Sequence, residues 1–307
     1  MCACAALACS VSRSEAADPF PAAALPAVSL NQSIHKYEPS DLVWHTRLNR
    51  LYSVSDGSAA VSARVFSLAT DGTGVAYWPV VGDLEAICIA DPTSDFLYVG
   101  TEQPNQIKEF RISTGVVTRT FDLDQWMWRT SGQGLEALTF VPDASSAEGG
   151  RFYAGLQDDG TVFSFSLPIL TSETSTAVTF LGSFNPVPGL SDLSGLDYER
   201  TTGVLYAIYD TANLMRATTL AGGLLKEWTL PGKDQEGIAF VGDDLFIAED
   251  SGDIVRYSPF QAVPEPAGLV TAAAAVATAW LRLGRRAARR RPAVRWRRVR
   301  PAGGGGP

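Results

Sequence analysis

The chain has 307 residues, 46% of them hydrophobic and 19% charged, which is ample for one large domain with a buried core. Its formal net charge of −8 hides an uneven distribution, because ten arginines lie between residues 282 and 300. The rest of the chain, about residues 17–262, has 14 basic and 31 acidic residues, a net of −17. Such a body repels nucleic acid and attracts cations; the alternative is that its acidity only keeps it soluble.

Cysteine and histidine are scarce, which excludes several kinds of site. Three of the four cysteines lie within the first nine residues, so Cys88 is alone in the body and has no partner there for a disulfide. With only His35 and His45, a Cys/His metal cluster is excluded and a histidine-dependent triad is poorly supported. We expect both histidines to have packing or surface roles.

Residues 1–16 are short, apolar and rich in small side chains, as in a signal peptide. Ser14 and Ala16 fit a small-x-small cleavage site before Ala17. A positively charged start is missing, which indicates a weak or truncated signal peptide or a misplaced start codon. Lipid attachment at Cys9 is a further alternative, although Ala6 stands where leucine is usual.

An internal repeat organises the body. Each copy has a small or acidic start, an apolar strand, a polar turn and a second strand with an aromatic residue. The five copies are 40–56, 84–102, 135–157, 193–210 and 235–250. Alternating segments that read as third and fourth strands follow at 63–69, 75–81, 106–112, 116–123, 161–167, 177–184, 214–220 and 224–230. Four strands per repeat of this length are typical of a β-propeller.

The last repeat has only one further strand, 253–258, and the segment 27–34 is strand-like. We therefore predict an all-β propeller over residues 27–260, with five blades of four strands, closed by the N-terminal strand. Closure of this kind removes an open sheet edge. Six blades are the alternative, if the long repeat 136–194 contains extra strands.

Two stretches, LSGLDYERTTGVLYAIYD (193–210) and EGIAFVGDDLFIAEDSGDIVRY (236–257), resemble the SdiA-regulated and NHL-like propellers. The resemblance spans roughly residues 40–258. It implies the fold but no particular activity, because propellers support many functions.

The repeat places carboxylates from every blade on one face, where first strands begin and second strands end. Glu85, Glu136 and Glu236 begin first strands, and we interpret them as an inner ring that binds Ca²⁺. Carboxylates near second-strand ends are expected to bind a ligand: Asp56, Glu102, Asp210 and Glu249. The alternative is that these groups accept hydrogen bonds from backbone N–H groups of neighbouring blades.

Trp126 and Trp128 lie in the loop before the third blade, on the same predicted face. Exposed aromatic rings beside acidic groups suit stacking on sugars, so both are candidate polysaccharide-binding residues. The alternative is that both rings cap the core.

The C-terminal tail, residues 263–291, combines Pro264-Glu265-Pro266, an apolar run from Ala267 to Leu281 and a dense arginine flank. The run predicts a transmembrane helix, and the flank keeps its end cytoplasmic. This order resembles the PEP-CTERM sorting signal, which implies processing by an exosortase-type membrane protease. The alternative is a plain tail anchor. Residues 292–307 read as a basic, Gly-rich disordered end.

Together these features predict an exported protein of the cell envelope or the extracellular space, anchored transiently in the inner membrane by its tail. We expect a binding module within the exopolysaccharide matrix rather than an enzyme. The alternative is a Ca²⁺-dependent hydrolase of lactones, esters or phosphoesters, with its site at the mouth of the propeller channel.

Overall fold

A computed structural model describes residues 17–24, 28–29, 38–56, 63–128 and 132–263. Within these ranges the chain forms five antiparallel blades, of which four have four strands of their own and the fifth has three. Short N-terminal strands complete the fifth blade and add one strand to the fourth. The innermost strands of the blades contact one another in a closed cycle. The prediction of an all-β, five-bladed propeller is therefore confirmed.

Strand boundaries agree closely with the repeat. Three short strands come first: β1 (Asp18–Pro19), β2 (Ala23–Ala24) and β3 (Val28–Ser29). Blade one contains β4 (Asp41–His45), β5 (Arg50–Ser55), β6 (Arg64–Leu68) and β7 (Ala76–Pro79). Blade two contains β8 (Leu84–Cys88), β9 (Phe96–Thr101), β10 (Gln106–Arg111) and β11 (Val116–Asp122). Blade three contains β12 (Leu135–Pro142), β13 (Gly150–Leu156), β14 (Val162–Ser166) and β15 (Thr179–Phe184). Blade four contains β16 (Leu193–Glu199), β17 (Val204–Tyr209), β18 (Leu214–Thr218) and β19 (Leu224–Thr229). Blade five contains β20 (Gln235–Val241), β21 (Asp244–Glu249) and β22 (Asp253–Ser258).

Burial explains why the inner and outer strands have different sequences. The second strand of blade four, β17, is buried at all six positions, because both of its faces pack inside the ring. The outer strand β19 is only partly buried and carries Lys226 and Glu227. Continuous apolar runs therefore mark inner strands, and mixed runs mark outer ones.

The described part of the chain has five hydrophobic clusters, one between each pair of neighbouring blades. Tyr98 of blade two packs on Phe152 of blade three with ring centroids 4.8 Å apart. Each fully buried large side chain contributes about 1.5–3 kcal/mol. Close packing also dictates Gly155, because a Cβ atom there would lie 2.6 Å from Leu193 Cδ2 of the next blade. The blades therefore stabilise one another pairwise around the ring.

The N-terminal segment closes the ring, as predicted, but its pairing starts earlier than the sequence indicated. Strands β2 and β3 both pair antiparallel with β22. Strand β1 adds a parallel fifth strand to blade four, beside β19. Phe20 follows β1 and packs on Tyr257 at 4.9 Å and on Phe260 at 5.5 Å between ring centroids. Of the predicted strand 27–34, the structure describes Val28 and Ser29.

Three predicted features lie outside the described residues: the signal peptide over residues 1–16, the sorting tail from Pro264 onward and its transmembrane helix. Within the described ranges, no helix is long and apolar enough to cross a membrane.

Candidate functional site

One face of the propeller gathers the predicted inner ring. Glu85, Glu136 and Glu236 are each the second residue of the innermost strand of their blade. All three line one cavity of about 210 Å³, which we call the mouth cavity. Its other lining residues are Glu38, Ser40, Asp56, Gln157 and Asp250. The repeat, rather than nearness in sequence, brings these groups together.

Three carboxylates at the mouth cavity lie in a geometry that could hold a cation. One oxygen from each of Asp56, Asp83 and Glu85 lies within 4.8 Å of the others. Asp56 follows β5 in blade one, whereas Asp83 and Glu85 flank the start of β8 in blade two. Ligand sets made only of oxygen atoms suit Ca²⁺ better than zinc. Glu85 of the predicted ring therefore also belongs to a tighter cluster, with Asp56 and Asp83.

A buried, unpartnered oxygen lies against the same cavity. Glu136 Oε2 is inaccessible to solvent and has no hydrogen-bond partner among the described residues. An unpaired buried carboxylate oxygen is costly unless a proton or a cation compensates it. Glu136 therefore adds an independent indication that the mouth cavity accommodates positive charge.

The electrostatics of the mouth favour protonation or cation binding. Burial, followed by repulsion from Asp83 and Asp56, raises the pKa of Glu85 well above its ordinary value. Burial and repulsion from Glu85 do the same to the pKa of Glu136. Burial and the charge of Asp250 raise the pKa of Glu236 to about 9. Since each carboxylate opposes ionisation of its neighbours, a bound cation would relieve several groups at once.

Two carboxylates that the sequence grouped with the ligand-binding set form interblade hydrogen bonds instead. Glu102 Oε1 accepts a hydrogen bond from the backbone N–H of Gly134, at 2.9 Å, across the junction of blades two and three. Asp210 Oδ1 accepts one from the N–H of Gln235, at 2.8 Å, across the junction of blades four and five. For these two residues the geometry agrees with the alternative drawn from the sequence, in which the carboxylates accept hydrogen bonds from backbone N–H groups of neighbouring blades. We call them, with Asp41 below, the latch carboxylates.

Glu249 is buried and lies away from the mouth cavity lining. Burial, followed by repulsion from Asp253, raises its pKa, and its Oε2 lies 3.4 Å from the Ser251 hydroxyl. The next residue, Asp250, lines the cavity instead, and burial raises its pKa to about 6. Neighbouring residues of an extended chain point in opposite directions, so this one-residue difference decides which carboxylate faces the cavity.

Asp41 is a third latch, which the repeat did not reveal. Its carboxylate is fully buried and accepts hydrogen bonds from the N–H groups of Leu42 at 2.7 Å and Ile87 at 2.8 Å. A backbone hydrogen bond from Ile238 connects it to blade five. Asp41 therefore joins three blades, and burial still raises its pKa well above the ordinary value.

The two candidate tryptophans differ in exposure. Trp126 is half-buried, and its ring lies 5.6 Å from that of Phe165 and 6.3 Å from that of Phe180. Trp128 is 79% exposed. The predicted pair therefore offers one free ring, while the other packs against blade three.

Sequence reasoning placed Glu249 and Asp250 together at the end of a second strand, and Asp250 is the one that lines the cavity. It missed Asp83 as a cluster residue and Glu38 as a lining residue. Asp83 lies two residues before Glu85, so the acidic start of that repeat was the available signal. His45 is buried at the end of β4 away from the mouth, which agrees with the packing role expected for it. There its Nε2 lies 3.1 Å from the Ser94 carbonyl oxygen.

Comparisons with known proteins support the fold. Residues 179–257 match the SdiA-regulated family, which covers β15 and the strands of blades four and five. A search of curated proteins found no match. Among solved structures, the glutaminyl cyclase of Myxococcus xanthus superposes with a TM-score of 0.53 at 12% identity, covering 77% of this chain and 95% of that one. A protein of unknown function from Bacteroides thetaiotaomicron gives 0.48 at 13% identity, covering 72% of this chain and 59% of that one. At these identities the likeness extends to the propeller fold alone.

Proposed function

We propose that this protein is an exported binding module whose mouth cavity binds a hard divalent cation, with Ca²⁺ as the best candidate. The observation that carries the proposal is the cluster of Asp56, Asp83 and Glu85, with oxygens within 4.8 Å of one another. Glu136 Oε2, buried without a hydrogen-bond partner in the described structure, supports it independently. The net acidity of the body would attract cations to this face.

The cellular setting of the proposal comes from the tail. The PEP-CTERM resemblance of Pro264-Glu265-Pro266 and the arginine flank favours export, transient anchoring in the inner membrane and exosortase-type processing. A Ca²⁺-loaded mouth would suit an acidic polysaccharide, because a cation can bridge two sets of carboxylates, and Trp128 offers an exposed ring for stacking on sugars. Alanine replacement of the three motif residues should leave the protein membrane-bound in cell fractionation. Release of this variant from the membrane at the wild-type level would contradict the proposed sorting but not the proposed cation site.

Calorimetric titration of the full chain with Ca²⁺ tests the cation site. Saturation at 100 times Kd stabilises a protein by about 2.7 kcal/mol. For a domain of this size that corresponds to a rise in melting temperature of about 5–10 °C. Glu85→Gln removes one of the clustered carboxylates and should abolish most of the heat and of the shift. Glu173→Gln, at an exposed site in blade three, is the matched control and should behave as wild type.

Absence of heat and of any thermal shift in the wild-type protein would overturn the cation site. An equal shift in wild type and in Glu85→Gln would also overturn it, since binding would then lie elsewhere on the acidic surface.

A Ca²⁺-dependent hydrolase is the second candidate, favoured by the raised pKa of Glu236. Without a cation, the pKa of this group is about 9; a cation bound at Asp56, Asp83 and Glu85 would lower it towards the neutral range, which suits a general acid. A panel of lactone, ester and phosphoester substrates, with and without Ca²⁺, tests the idea. Activity that requires Ca²⁺ and is lost in Glu236→Gln would favour the hydrolase; uniform inactivity would leave the binding module.

A further inference from the structure

The end of the propeller opposite the mouth contains a larger cavity with a different lining. Its volume is about 320 Å³, near the lower end of the ~300–1,000 Å³ range of small-molecule pockets. The inner strands of all five blades contribute lining residues. These residues lie later in their strands than the residues that line the mouth cavity. We call it the distal pocket. It shares no lining residue with the mouth cavity.

Aromatic side chains supply much of the wall of the distal pocket. Trp44, Phe140, Tyr198 and Phe240 come from four different blades. Phe140 packs on Phe152 with centroids 5.0 Å apart, so its position is fixed by the core behind it. Trp44, Tyr198 and Phe240 are partly exposed and pack against the interblade clusters, so their positions are fixed before a ligand binds.

One carboxylate lies among these rings. Asp197 lines the distal pocket, and its Oδ2 accepts a hydrogen bond from the N–H of Phe240 at 3.2 Å. Burial raises the pKa of Asp197 to about 7, which shows how little solvent compensates its charge. A half-buried carboxylate beside aromatic faces is the environment that an ammonium group prefers, through an ion pair and cation–π contacts.

The charged groups of the lining have a net formal charge of −1, since Asp197 and Glu199 stand against Arg200. Arg200 lies at the rim, where its Nη2 donates hydrogen bonds to the carbonyls of Ile89 at 2.8 Å and Ala90 at 3.1 Å. Its charge also acts on Asp197, where burial raises the pKa more than Arg200 lowers it. The Glu199 carboxylate accepts hydrogen bonds from the N–H groups of Thr201 and Thr202. Asp197 accepts from the N–H groups of Phe240 and Tyr198, and each carboxylate oxygen has a second lone pair that can accept from a ligand.

We propose that the distal pocket is a second ligand site, which binds a small organic amine with an apolar or aromatic body. The ammonium group pairs with Asp197, and the body lies against Trp44, Tyr198 and Phe240. The proposal is independent of the cation site, because a different set of residues at the other end of the inner strands forms this pocket.

Three probes with one body and different charges test the proposal: benzylamine, benzyl alcohol and benzoate, titrated into the full chain at pH 8. We expect the amine to bind most tightly, the alcohol at least tenfold more weakly, and benzoate not at all. Asp197→Asn keeps an oxygen that can accept from Phe240 but removes the charge, and should weaken amine binding by at least tenfold. Glu85→Gln, at the mouth, should leave amine binding unchanged.

A rim position gives a second test that does not depend on changing a buried group. Thr46 lines the distal pocket and is exposed, so charge changes there should not affect folding. Thr46→Lys should weaken benzylamine binding several-fold, and Thr46→Glu should strengthen it. Equal binding of the amine and benzoate, no binding of the amine, or rim variants that all behave as wild type would each overturn the proposal.

Discussion

The mouth glutamates and the latch carboxylates have the same chemistry but different surroundings. Glu102 and Asp210 lie on the same face as Glu85 and Glu136, yet each accepts a hydrogen bond from the first residues of the next blade. Glu136 instead leaves one buried oxygen without a partner in the described structure. A backbone N–H that donates to a carboxylate favours its ionised form, whereas a neighbouring carboxylate opposes ionisation. Burial raises the pKa of the latch residues Asp41 and Asp210 as well, but there the backbone N–H groups act against it. Acidic composition alone therefore does not identify a site; the hydrogen-bond partner does.

The largest effect is expected at Asp41, the latch that joins three blades. Asp41→Ala leaves the buried N–H groups of Ile87 and Ile238 without their acceptor. Each orphaned group costs ~1–3 kcal/mol, so we expect a loss of about 3 kcal/mol in the free energy of unfolding. That loss lowers the melting temperature by about 6–12 °C in differential scanning calorimetry.

The control for this prediction is Asp41→Asn, which keeps one acceptor oxygen and should lose less than half as much. An unchanged melting temperature in Asp41→Ala would show that the central carboxylate is not a latch. Gly237 packs so closely on Asp41 that a Cβ atom there would lie 2.4 Å from Asp41 Cα. A larger side chain at position 237 therefore cannot compensate for the lost carboxylate.

A second pair of variants should change stability in opposite directions. Asp210→Ala removes the acceptor for Gln235 N–H and should lower the free energy of unfolding by about 1–2 kcal/mol. Glu236→Gln removes a carboxyl whose ionisation the fold opposes, so it should raise the stability above pH 8 in the absence of divalent cations. Urea unfolding in the presence of a chelator measures both. If both variants lost the same free energy of unfolding, the latch and mouth carboxylates would not differ in the way we infer.

The pH dependence of stability provides a smaller test of the same distinction. The pKa of Glu236 rises from its ordinary value of 4.5 to about 9 in the folded protein, so the folded state holds this proton more tightly than the unfolded state does. Its contribution is complete below about pH 4.5 and is lost as the pH rises through about 9. Asp250 adds a loss around pH 6. Without divalent cations, the melting temperature should therefore fall between pH 6 and 9.5.

Calcium should reverse that fall, because it replaces the protons that the mouth carboxylates lose. The Ca²⁺-induced shift in melting temperature should accordingly be larger at pH 9 than at pH 6, and Glu236→Gln should flatten the cation-free profile. A shift of the same size at both pH values would contradict competition between Ca²⁺ and protons at this site.

The strands were predictable from the sequence because alternation and turn residues are local signals. The last strand, predicted over 253–258, is observed as Asp253–Ser258. By contrast, the strand Asp18–Pro19 pairs with β19, more than 200 residues away. A strand of only two residues shows no alternation of polar and apolar side chains, so the sequence does not reveal it. The repeat placed Glu85, Glu136 and Glu236 around one cavity because equivalent positions of a propeller converge at its axis.

What the sequence could not give is the direction of side chains beyond strand ends. Asp56 and Glu102 follow equivalent strands, yet Asp56 lines the mouth cavity and Glu102 accepts a hydrogen bond from Gly134 N–H. The distal pocket was missed for another reason. Its aromatic residues, such as Trp44 and Phe240, continue the apolar pattern of their strands and read as core.

The smallest change in stability is expected at Trp128, and it separates an exposed ring from a packed one. Trp128→Ala should alter the free energy of unfolding by less than ~0.5 kcal/mol, because the side chain is 79% exposed. Trp126→Ala should cost more, since its ring packs on Phe165 and Phe180. If Trp128 stacks on sugar rings, its replacement should weaken retention on native exopolysaccharide while thermal unfolding stays as in wild type. Retention that is unchanged in Trp128→Ala but lost on removing Ca²⁺ would assign polysaccharide binding to the mouth carboxylates alone.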